Sequence, residues 1–396
     1  MTPLERRSVS SLALLYCFRM LGLFMVLPLL ALYALDMPGA DPLTIGLALG
    51  IYGLSQALLQ IPLGWLSDQL GRKPVIIGGL LVFALGSVIA AMADSIYGVV
   101  AGRALQGAGA IASTVMALVA DLTREEQRTK AMALVGMSIG LSFAVALVLG
   151  PAVAAAGGLG AVFWFTALLA LAGIAIVLFL VPTPPRGLRH DDVGARGGLF
   201  MRSLRDVALL RLNFAVFSLH FILMALFLVV PGLLLEVAGL ARDSHWLVYL
   251  PALALSIAGM VPMMMLAERK GRLREMFLLG IGLLMLAMVV LASAALPAMI
   301  YLGMWLFFIG FNYLEATLPS LVSKAVFQGS KGTALGIFST CQFFGAFAGG
   351  ALGGWLVKAG GNTALVLTCL GLAVTWLLVF LPTHSVATGS AAAAGE

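Results

Sequence analysis

The hydrophobic positions of this chain fall into long uninterrupted blocks that are separated by short polar stretches. An α-helix needs about 20 apolar residues to cross a bilayer, and the blocks have that length. They are continuous rather than alternating, which favours helices over the strands of a membrane barrel. The pattern therefore predicts twelve transmembrane helices. Their predicted bounds are Val9–Tyr33, Leu43–Leu66, Pro74–Ala93, Ser95–Ala120, Ala131–Ala156, Leu159–Val181, Leu212–Leu235, Ser244–Ala267, Met276–Leu296, Pro297–Val322, Gly332–Val357 and Asn362–Leu381.

Composition supports a membrane protein and argues against several other classes. The chain of 396 residues is 62% hydrophobic and 10% charged, whereas a soluble domain is about 45–50% apolar and about 25% charged. The three cysteines lie within apolar blocks and lack a metal-ligand spacing, so we predict neither a disulfide framework nor a metal site. The sequence contains no Walker A motif for ATP, and we expect no cofactor.

The distribution of lysine and arginine predicts the orientation in the membrane. If the N-terminus is cytoplasmic, most of the loop cations lie on the cytoplasmic side, as the positive-inside rule requires. Both termini are then cytoplasmic, and the net charge of +6 reflects topology rather than a nucleic-acid partner. The first block lacks a signal-peptide cleavage site, so we expect it to remain as a helix.

An internal repeat predicts two bundles of six helices. The polar loop after the second block recurs after the eighth, at an offset of about 200 residues, as expected of a duplicated unit. We predict a cytoplasmic linker between the bundles, with a short amphipathic helix at Leu199–Val207. The predicted segments are an N-terminal bundle at 1–181, the linker at 182–211, a C-terminal bundle at 212–383 and a disordered tail at 384–396.

The loop between the second and third blocks reads Gly64-Trp-Leu-Ser-Asp-Gln-Leu-Gly-Arg-Lys-Pro74. It resembles the signature between helices two and three of the major facilitator superfamily, from which only Gln69 departs. The resemblance implies an all-α membrane fold with two pseudo-symmetric six-helix bundles, acting as a transporter that is a monomer in the lipid bilayer of the bacterial inner membrane.

The same resemblance implies a conformational latch. In the family an acid at the end of helix four can pair with the loop arginine; here these residues are Asp121 and Arg72. The alternative is that the loop only marks topology. The predicted latch comprises Gly64, Asp68, Gly71, Arg72, Lys73 and Asp121.

Four ionisable side chains lie well inside the predicted helices, one each on helices one, four, seven and ten: Arg19, Arg103, His220 and Glu315. A charge at mid-bilayer costs about 2.5–3.5 kcal/mol, so such residues usually face a protein interior or a cavity. The resemblance implies that these helices line a central cavity. We predict that His220 and Glu315 form a protonatable pair with Arg19 as a counter-charge. The alternative is a static ion pair between Glu315 and Arg19.

Arg103 belongs to a further motif. The stretch Gly102-Arg-Ala-Leu-Gln-Gly107 resembles the family's helix-four motif, which is associated with proton coupling; the alternative is an arginine that bonds neighbouring carbonyls as a strut. Neutral amides in the same region are candidate cavity residues, with Asn312 favoured as a substrate contact, although most such groups join helices. The candidates are Gln56, Asn213, Asn312 and Gln342.

Span five carries a partial antiporter motif. Gly150-Pro151, with Gly136, Gly140 and Gly157-Gly158, resembles the motif of drug–proton antiporters, although ordinary close packing of glycines is the alternative. The stretch from Arg19 to Pro28 is one of several that resemble the YajR-type group of bacterial drug–proton antiporters.

These observations predict a secondary transporter, not an enzyme, that exports a small amphipathic compound in exchange for protons by alternating access. A proton-coupled importer of a sugar or metabolite is the nearest alternative. A membrane sensor or enzyme is a third, but the four histidines are too scattered to form an active site.

Overall fold

The computed structural model describes residues 1–182, 196–326 and 331–382. Within these ranges the chain contains only helices, turns and short connections. The helices are α1 (Pro3–Tyr33), α2 (Pro42–Leu70), α3 (Arg72–Ala91), α4 (Ile96–Ala108), α5 (Ala112–Asp121), α6 (Glu125–Phe179), α7 (Arg196–Arg205), α8 (Val207–Glu236), α9 (Trp246–Arg269), α10 (Leu273–Ala292), α11 (Pro297–Ala325) and α12 (Lys331–Phe380).

Ten helical stretches in the described ranges are long and apolar enough to cross a membrane. Two of these stretches each contain two helices that are joined at a kink. The helix α6 is interrupted at Gly157 and Gly158, and α12 is interrupted at Gly360 and Gly361. The second glycine of each pair has a positive φ, 66° and 69°, which glycine adopts without steric cost. Counting each half as one span gives twelve transmembrane helices, so the predicted fold class is confirmed.

The fourth span differs from the prediction because it is broken. One continuous helix was expected, but α4 ends at Ala108 and α5 begins at Ala112. Gly109 lies at the break and packs closely on the backbone of Gly79 in α3, so a larger residue would not fit there. The break therefore follows from a tertiary contact that the hydropathy pattern does not reveal.

Two compact units can be distinguished in the chain. The first comprises Met1–His190 with Arg242–Trp246, and the second comprises Asp191–Ala241 with Leu247–Glu396. In the first unit α1 packs along α6, and α3 packs on α4 and α6. In the second unit α8 packs along α12, and α10 packs on α11.

The predicted linker is mostly helical where it is described. The helix α7 (Arg196–Arg205) covers most of the predicted amphipathic segment, and the Asp206 side chain accepts hydrogen bonds from the first amides of α8. A carboxylate at this position caps a helix and favours its start. The remaining linker residues, 183–195, and the predicted disordered tail lie outside the described residues.

Glycine allows α8 and α12 to approach closely. The Cα positions of Gly345 and Gly349 on α12 face the carbonyl oxygens of Phe217 and Phe221 on α8, with no room for a side chain. Residues spaced by three or four lie on one face of a helix, so Gln342 shares this face with Gly345. The glycine contact therefore brings Gln342 up to α8.

Candidate functional site

Three polar side chains from three helices meet inside the second unit. His220 on α8, Glu315 on α11 and Gln342 on α12 form a network that lies within the predicted membrane region. The Gln342 Nε2 atom is 2.8 Å from His220 Nε2 and 3.3 Å from Glu315 Oε1. The direct separation between His220 Nε2 and Glu315 Oε2 is 3.8 Å. The structure thus joins the predicted protonatable pair through an amide that the sequence assigned to the substrate cavity.

The surroundings of His220 define its tautomer. His220 Nδ1 lies 3.1 Å from the carbonyl oxygen of Val216, which can only accept a hydrogen bond, so Nδ1 carries the proton. In the neutral imidazole Nε2 is then an acceptor, and Gln342 donates to it. The His220 side chain is 10% exposed, whereas that of Glu315 is 38% exposed. The carboxylate is therefore more accessible than the imidazole.

Arg19 lies in a polar group of the first unit. Its Nη2 donates to the Tyr52 hydroxyl at 2.9 Å and to Gln56 Oε1 at 2.8 Å, and the guanidinium stands 5.9 Å from the centre of the Phe83 ring. The residue is buried, and its Nε and Nη1 atoms have no hydrogen-bond partner among the described residues. Within this unit, therefore, amide and hydroxyl groups rather than a carboxylate hold the Arg19 charge.

The Arg103 side chain donates hydrogen bonds to groups on α2 and α4. Its Nε donates to the Ala48 carbonyl at 3.3 Å, and its Nη1 donates to Gln106 Oε1 at 2.9 Å. Gln106 in turn donates to Ser87 at 2.7 Å, and the guanidinium lies 4.9 Å from the centre of the Tyr52 ring. These contacts join α4 to α2 and α3, and they favour the strut over a direct role in proton transfer.

Two of the other predicted cavity amides, Gln56 and Asn312, bond to protein groups. Gln56 accepts from Arg19, and Asn312 donates to the Ser256 hydroxyl at 2.8 Å, which links α11 to α9. Asn213 is buried in α8. A role for these amides in substrate contact remains a prediction.

The latch residues converge on Arg72. Its Nη1 atom is 2.5 Å from Asp68 Oδ1, and its Nε atom is 3.1 Å from Asp121 Oδ2. The hydroxyl of Ser67 also accepts from Nη1 at 2.7 Å, a partner that the sequence analysis missed. Gly71, with a φ of 98°, ends α2 so that Arg72 can begin α3. The guanidinium thereby links the loop to the end of α5.

The remaining latch residues contact other parts of the first unit. Gly64 lies opposite Ser113, and a methyl group added to it would stand 3.2 Å from the Ser113 hydroxyl. Lys73 Nζ donates to the Val181 carbonyl at 2.5 Å. The last carbonyls of a helix lack partners within it, and a cation stabilises them.

The second unit repeats the Lys73 contact but not the latch. Arg274, at the start of α10, donates to the Leu381 carbonyl at 2.7 Å, just as Lys73 does at the start of α3. Arg274 stands about 200 residues after Lys73, at the offset of the internal repeat, so the repeat alone could have predicted this contact. In contrast, Glu268 stands where the first unit has Asp68, and the described part of the chain gives it no ion pair.

An ion pair outside the predicted motifs joins the starts of α1 and α6. Glu5 accepts from the Arg124 side chain at 3.0 Å and from the Arg124 amide at 3.1 Å. Glu5 also completes a capping box with Thr2. The hydrogen bond to Glu5 raises the pKa of the Arg124 guanidinium above its ordinary value.

The glycines of the predicted span-five motif have different surroundings. Gly150 packs against the Met25 carbonyl of α1, and Pro151 follows it inside α6. Gly136 and Gly140 have open space where a side chain would point. Close packing therefore explains Gly150, but it does not explain Gly136 or Gly140 among the described residues.

Comparison with known proteins identifies relatives for nearly the whole chain. The profile of the Major Facilitator Superfamily matches residues 12–349. The chain is 47% identical to the inner membrane transport protein YajR of Escherichia coli K12 over 96% of this chain and 84% of the relative. It is 27% identical to the multidrug resistance protein MdtH of Aeromonas salmonicida over 91% of each.

Solved transporters share the fold at low sequence identity. The nucleoside transporter NupG has a TM-score of 0.76 at 14% identity, covering 95% of this chain and 100% of the other. The human organic anion transporter MFSD10 has a TM-score of 0.68 at 20% identity, covering 96% and 100%.

Proposed function

This chain belongs to the major facilitator superfamily and is a membrane transporter; on that basis we propose that it exports a small amphipathic compound in exchange for protons. The family consists of transporters rather than enzymes. Export, proton coupling and the amphipathic substrate form the proposal, and the network of His220, Gln342 and Glu315 is the observation that carries it.

The network has what a proton carrier needs. Glu315 is a carboxylate at membrane depth whose side chain is partly exposed, as a group that exchanges protons requires. Its neighbours are an imidazole, which can carry a charge, and an amide that can rotate. An intramembrane carboxylate without a functional role would be retained only against a substantial insertion cost. The change in charge between the two protonation states can then drive a conformational change.

The surroundings of the network support an amphipathic substrate. Phe311 is partly exposed, and its ring centre lies 6.0 Å from that of His220. Polar groups next to an accessible aromatic ring suit a molecule with one polar and one apolar part. The relative MdtH is named a multidrug resistance protein, which points in the same direction.

Two further parts of the proposal concern the transport cycle and the topology. Arg72, with Asp68 and Asp121, stabilises one state of the cycle as a latch, and its contacts support this role. Both termini face the cytoplasm, as the cation distribution predicts. The protein works as a monomer in the bacterial inner membrane, the location named for its relative YajR.

The proposal can be tested in proteoliposomes with ethidium as the transported probe. A lumen more acidic than the bath should drive ethidium inward through an antiporter, whereas a symporter would drive it outward. We expect Glu315→Gln to abolish the effect of the pH gradient while the protein stays folded, because an amide cannot exchange the proton. Glu268→Gln is the matched control, since Glu268 is exposed and lies outside the network.

Two results would contradict the proposal. Transport that follows the pH gradient in Glu315→Gln as it does in the wild type would assign the carboxylate a structural role. Outward movement of ethidium under the same gradient would replace export with import.

A further inference from the structure

The guanidinium of Arg19 is a buried cation that uses only part of its hydrogen-bonding capacity. A guanidinium has five N–H donors. The Nη2 atom supplies two of them, to the Tyr52 hydroxyl at 2.9 Å and to Gln56 Oε1 at 2.8 Å. The Nε and Nη1 atoms carry the remaining donors and have no hydrogen-bond partner among the described residues. Since the residue is only 2% exposed, these donors point into the interior of the protein.

The described part of the first unit gives Arg19 no counter-charge. Arginine stays protonated in proteins, so burial does not remove its charge through the loss of a proton. A buried charge without a partner is strongly unfavourable. The ion-paired carboxylates of this unit are bound by Arg72, Arg124 and Arg242, which lie at helix ends or in a loop. An anion brought to Arg19 would therefore be stabilised there.

The carboxylate at membrane depth in the second unit has partners of its own. Glu315 Oε1 accepts from Gln342 at 3.3 Å, and Glu315 Oε2 lies 3.8 Å from His220 Nε2. Its charge is thus balanced within that unit by a donor and by an imidazole that can become charged.

A second buried arginine adds to the positive potential around Tyr52. The Arg103 guanidinium lies 4.9 Å from the centre of the Tyr52 ring, while the hydroxyl of the same residue accepts from Arg19. Arg103 donates to the Ala48 carbonyl and to Gln106, and none of its buried nitrogen atoms lacks a partner among the described residues. Two cations therefore flank one tyrosine, and the unused donors belong to Arg19.

The contacts on α2 fix the orientation of the Arg19 guanidinium. Tyr52, Gln56 and Gln60 follow one another at a spacing of four, so they lie on one face of the helix. Gln56 accepts from Arg19 and donates to Gln60 Oε1 at 3.5 Å, which directs its oxygen to the guanidinium. The Nη2 atom is thereby anchored, and the Nε and Nη1 atoms are left for another acceptor.

Aromatic side chains lie beside the unused donors. The Phe83 ring centre is 5.9 Å from the guanidinium carbon, and Tyr16 is buried about one turn before Arg19 on α1. A few convergent polar groups next to aromatic rings are typical of sites for small organic ligands. A carboxylate matches the donors best, because hydrogen bonds between ionised partners are about twice as strong as neutral ones.

From these contacts we infer that Arg19 forms an anion-binding subsite, which takes the carboxylate of an amphipathic organic ligand. The inference rests on the proposed function, because alternating access would expose this buried residue to a ligand. Binding is measured at equilibrium without a pH gradient, whereas proton-coupled export is tested with ethidium, which has no carboxylate. Failure of the subsite and failure of the proposed function can therefore be recognised separately.

The test compares two probes that differ in charge but share one aromatic body. Binding of naphthylacetate and of naphthylacetamide to the purified full-length protein in a neutral detergent is measured by calorimetry near neutral pH. The signal of detergent alone is subtracted for each probe. We expect the wild type to bind the carboxylate about tenfold more tightly than the amide, because only the carboxylate forms charge-assisted hydrogen bonds with Arg19.

The ratio of the two affinities distinguishes ligand contact from a structural role. In Arg19→Gln we expect the two affinities to agree within about twofold, since a neutral amide gives the charged probe no advantage. A residue that only supports the fold would lower both affinities equally and leave the ratio unchanged. Arg19→Lys keeps the charge and should restore part of the preference. Arg242→Gln removes an exposed arginine and should keep the wild-type ratio, which controls for non-specific attraction of anions.

Two outcomes would overturn the inference. Equal affinities of the wild type for the two probes would do so without any variant, so the test does not depend on how Arg19→Gln folds. A preference for the carboxylate that persists in a folded Arg19→Gln protein would assign the anion to another cation.

Discussion

At the scale of single residues, the ionisable side chains inside the predicted helices include two kinds. Arg103 donates to a backbone carbonyl and to an amide, and its ring contact with Tyr52 adds a third interaction. His220 and Glu315 are joined through a side chain that can change its orientation. A guanidinium that stays charged suits a permanent joint, whereas imidazole and carboxyl groups suit a site that changes charge.

The contacts of Arg103 predict a loss of stability on substitution. Arg103→Lys keeps the charge but cannot reach both the Ala48 carbonyl and Gln106, and a lost hydrogen bond to a charged group costs about 1.5–3 kcal/mol. We expect a lower midpoint of thermal unfolding, followed by tryptophan fluorescence. Arg242→Lys is the control, because its pair with the exposed Asp36 should contribute at most about 1 kcal/mol. Equal midpoints for the two variants would argue against the strut.

At the scale of helices, glycines allow the close contacts between elements. The pairs at 157–158 and 360–361 end one span and begin the next, and the second residue of each pair has a positive φ that favours glycine. On α12, Gly345 and Gly349 allow contact with the backbone of α8. These positions set the distance across which Gln342 reaches His220.

The contact between α8 and α12 predicts that a single methyl group disturbs the site. Gly345→Ala places a Cβ atom against the Phe217 carbonyl, and such overpacking costs about 1–3 kcal/mol. We expect lower thermal stability together with a weaker effect of the pH gradient on ethidium transport, because Gln342 is displaced from His220. In Gly371→Ala on the same helix the methyl group meets open space, so that variant should retain or slightly gain stability. A well-tolerated Gly345→Ala would show that the helices can separate without loss.

At the scale of the whole molecule, the two units share a duplicated pattern but differ in their loops. Both units bond a cation at the start of one helix to the last carbonyls of another, through Lys73 and Arg274. Only the first unit, among the described residues, has its loop arginine paired with two carboxylates. Because these ion pairs lie in one unit only, the proposed latch assigns the loop of the first unit the larger expected role in the transport cycle.

This asymmetry predicts different consequences for the two loops. Asp121→Asn removes a partly buried partner of Arg72, and a loss of about 1.4 kcal/mol would shift a conformational equilibrium about tenfold. We expect a fall of that order in the initial rate of ethidium transport in proteoliposomes, with little change in thermal stability. Glu268→Gln should leave the rate near that of the wild type. Equal losses of rate in both variants would count against a one-sided latch.

Much of this protein could be predicted from the order of its residues. Hydrophobic blocks of membrane length specify the twelve helices because the bilayer leaves an uninterrupted apolar chain few alternatives. The four ionisable residues inside the blocks stand out because burying a charge is costly, whereas Arg72 and Asp121 were identified through the resemblance to the family's loop signature. The break between α4 and α5 was missed because it depends on a contact with α3 rather than on composition.

Only the tertiary structure decided which groups meet. The sequence predicted a pair of His220 and Glu315, but it could not show that Gln342 stands between them, because the rotation of three helices about their axes is set by packing. It likewise could not show that Arg103 bonds to Ala48, since a carbonyl partner has no sequence signature. Hydropathy is a property of the chain alone, whereas a hydrogen-bond partner depends on how the helices pack.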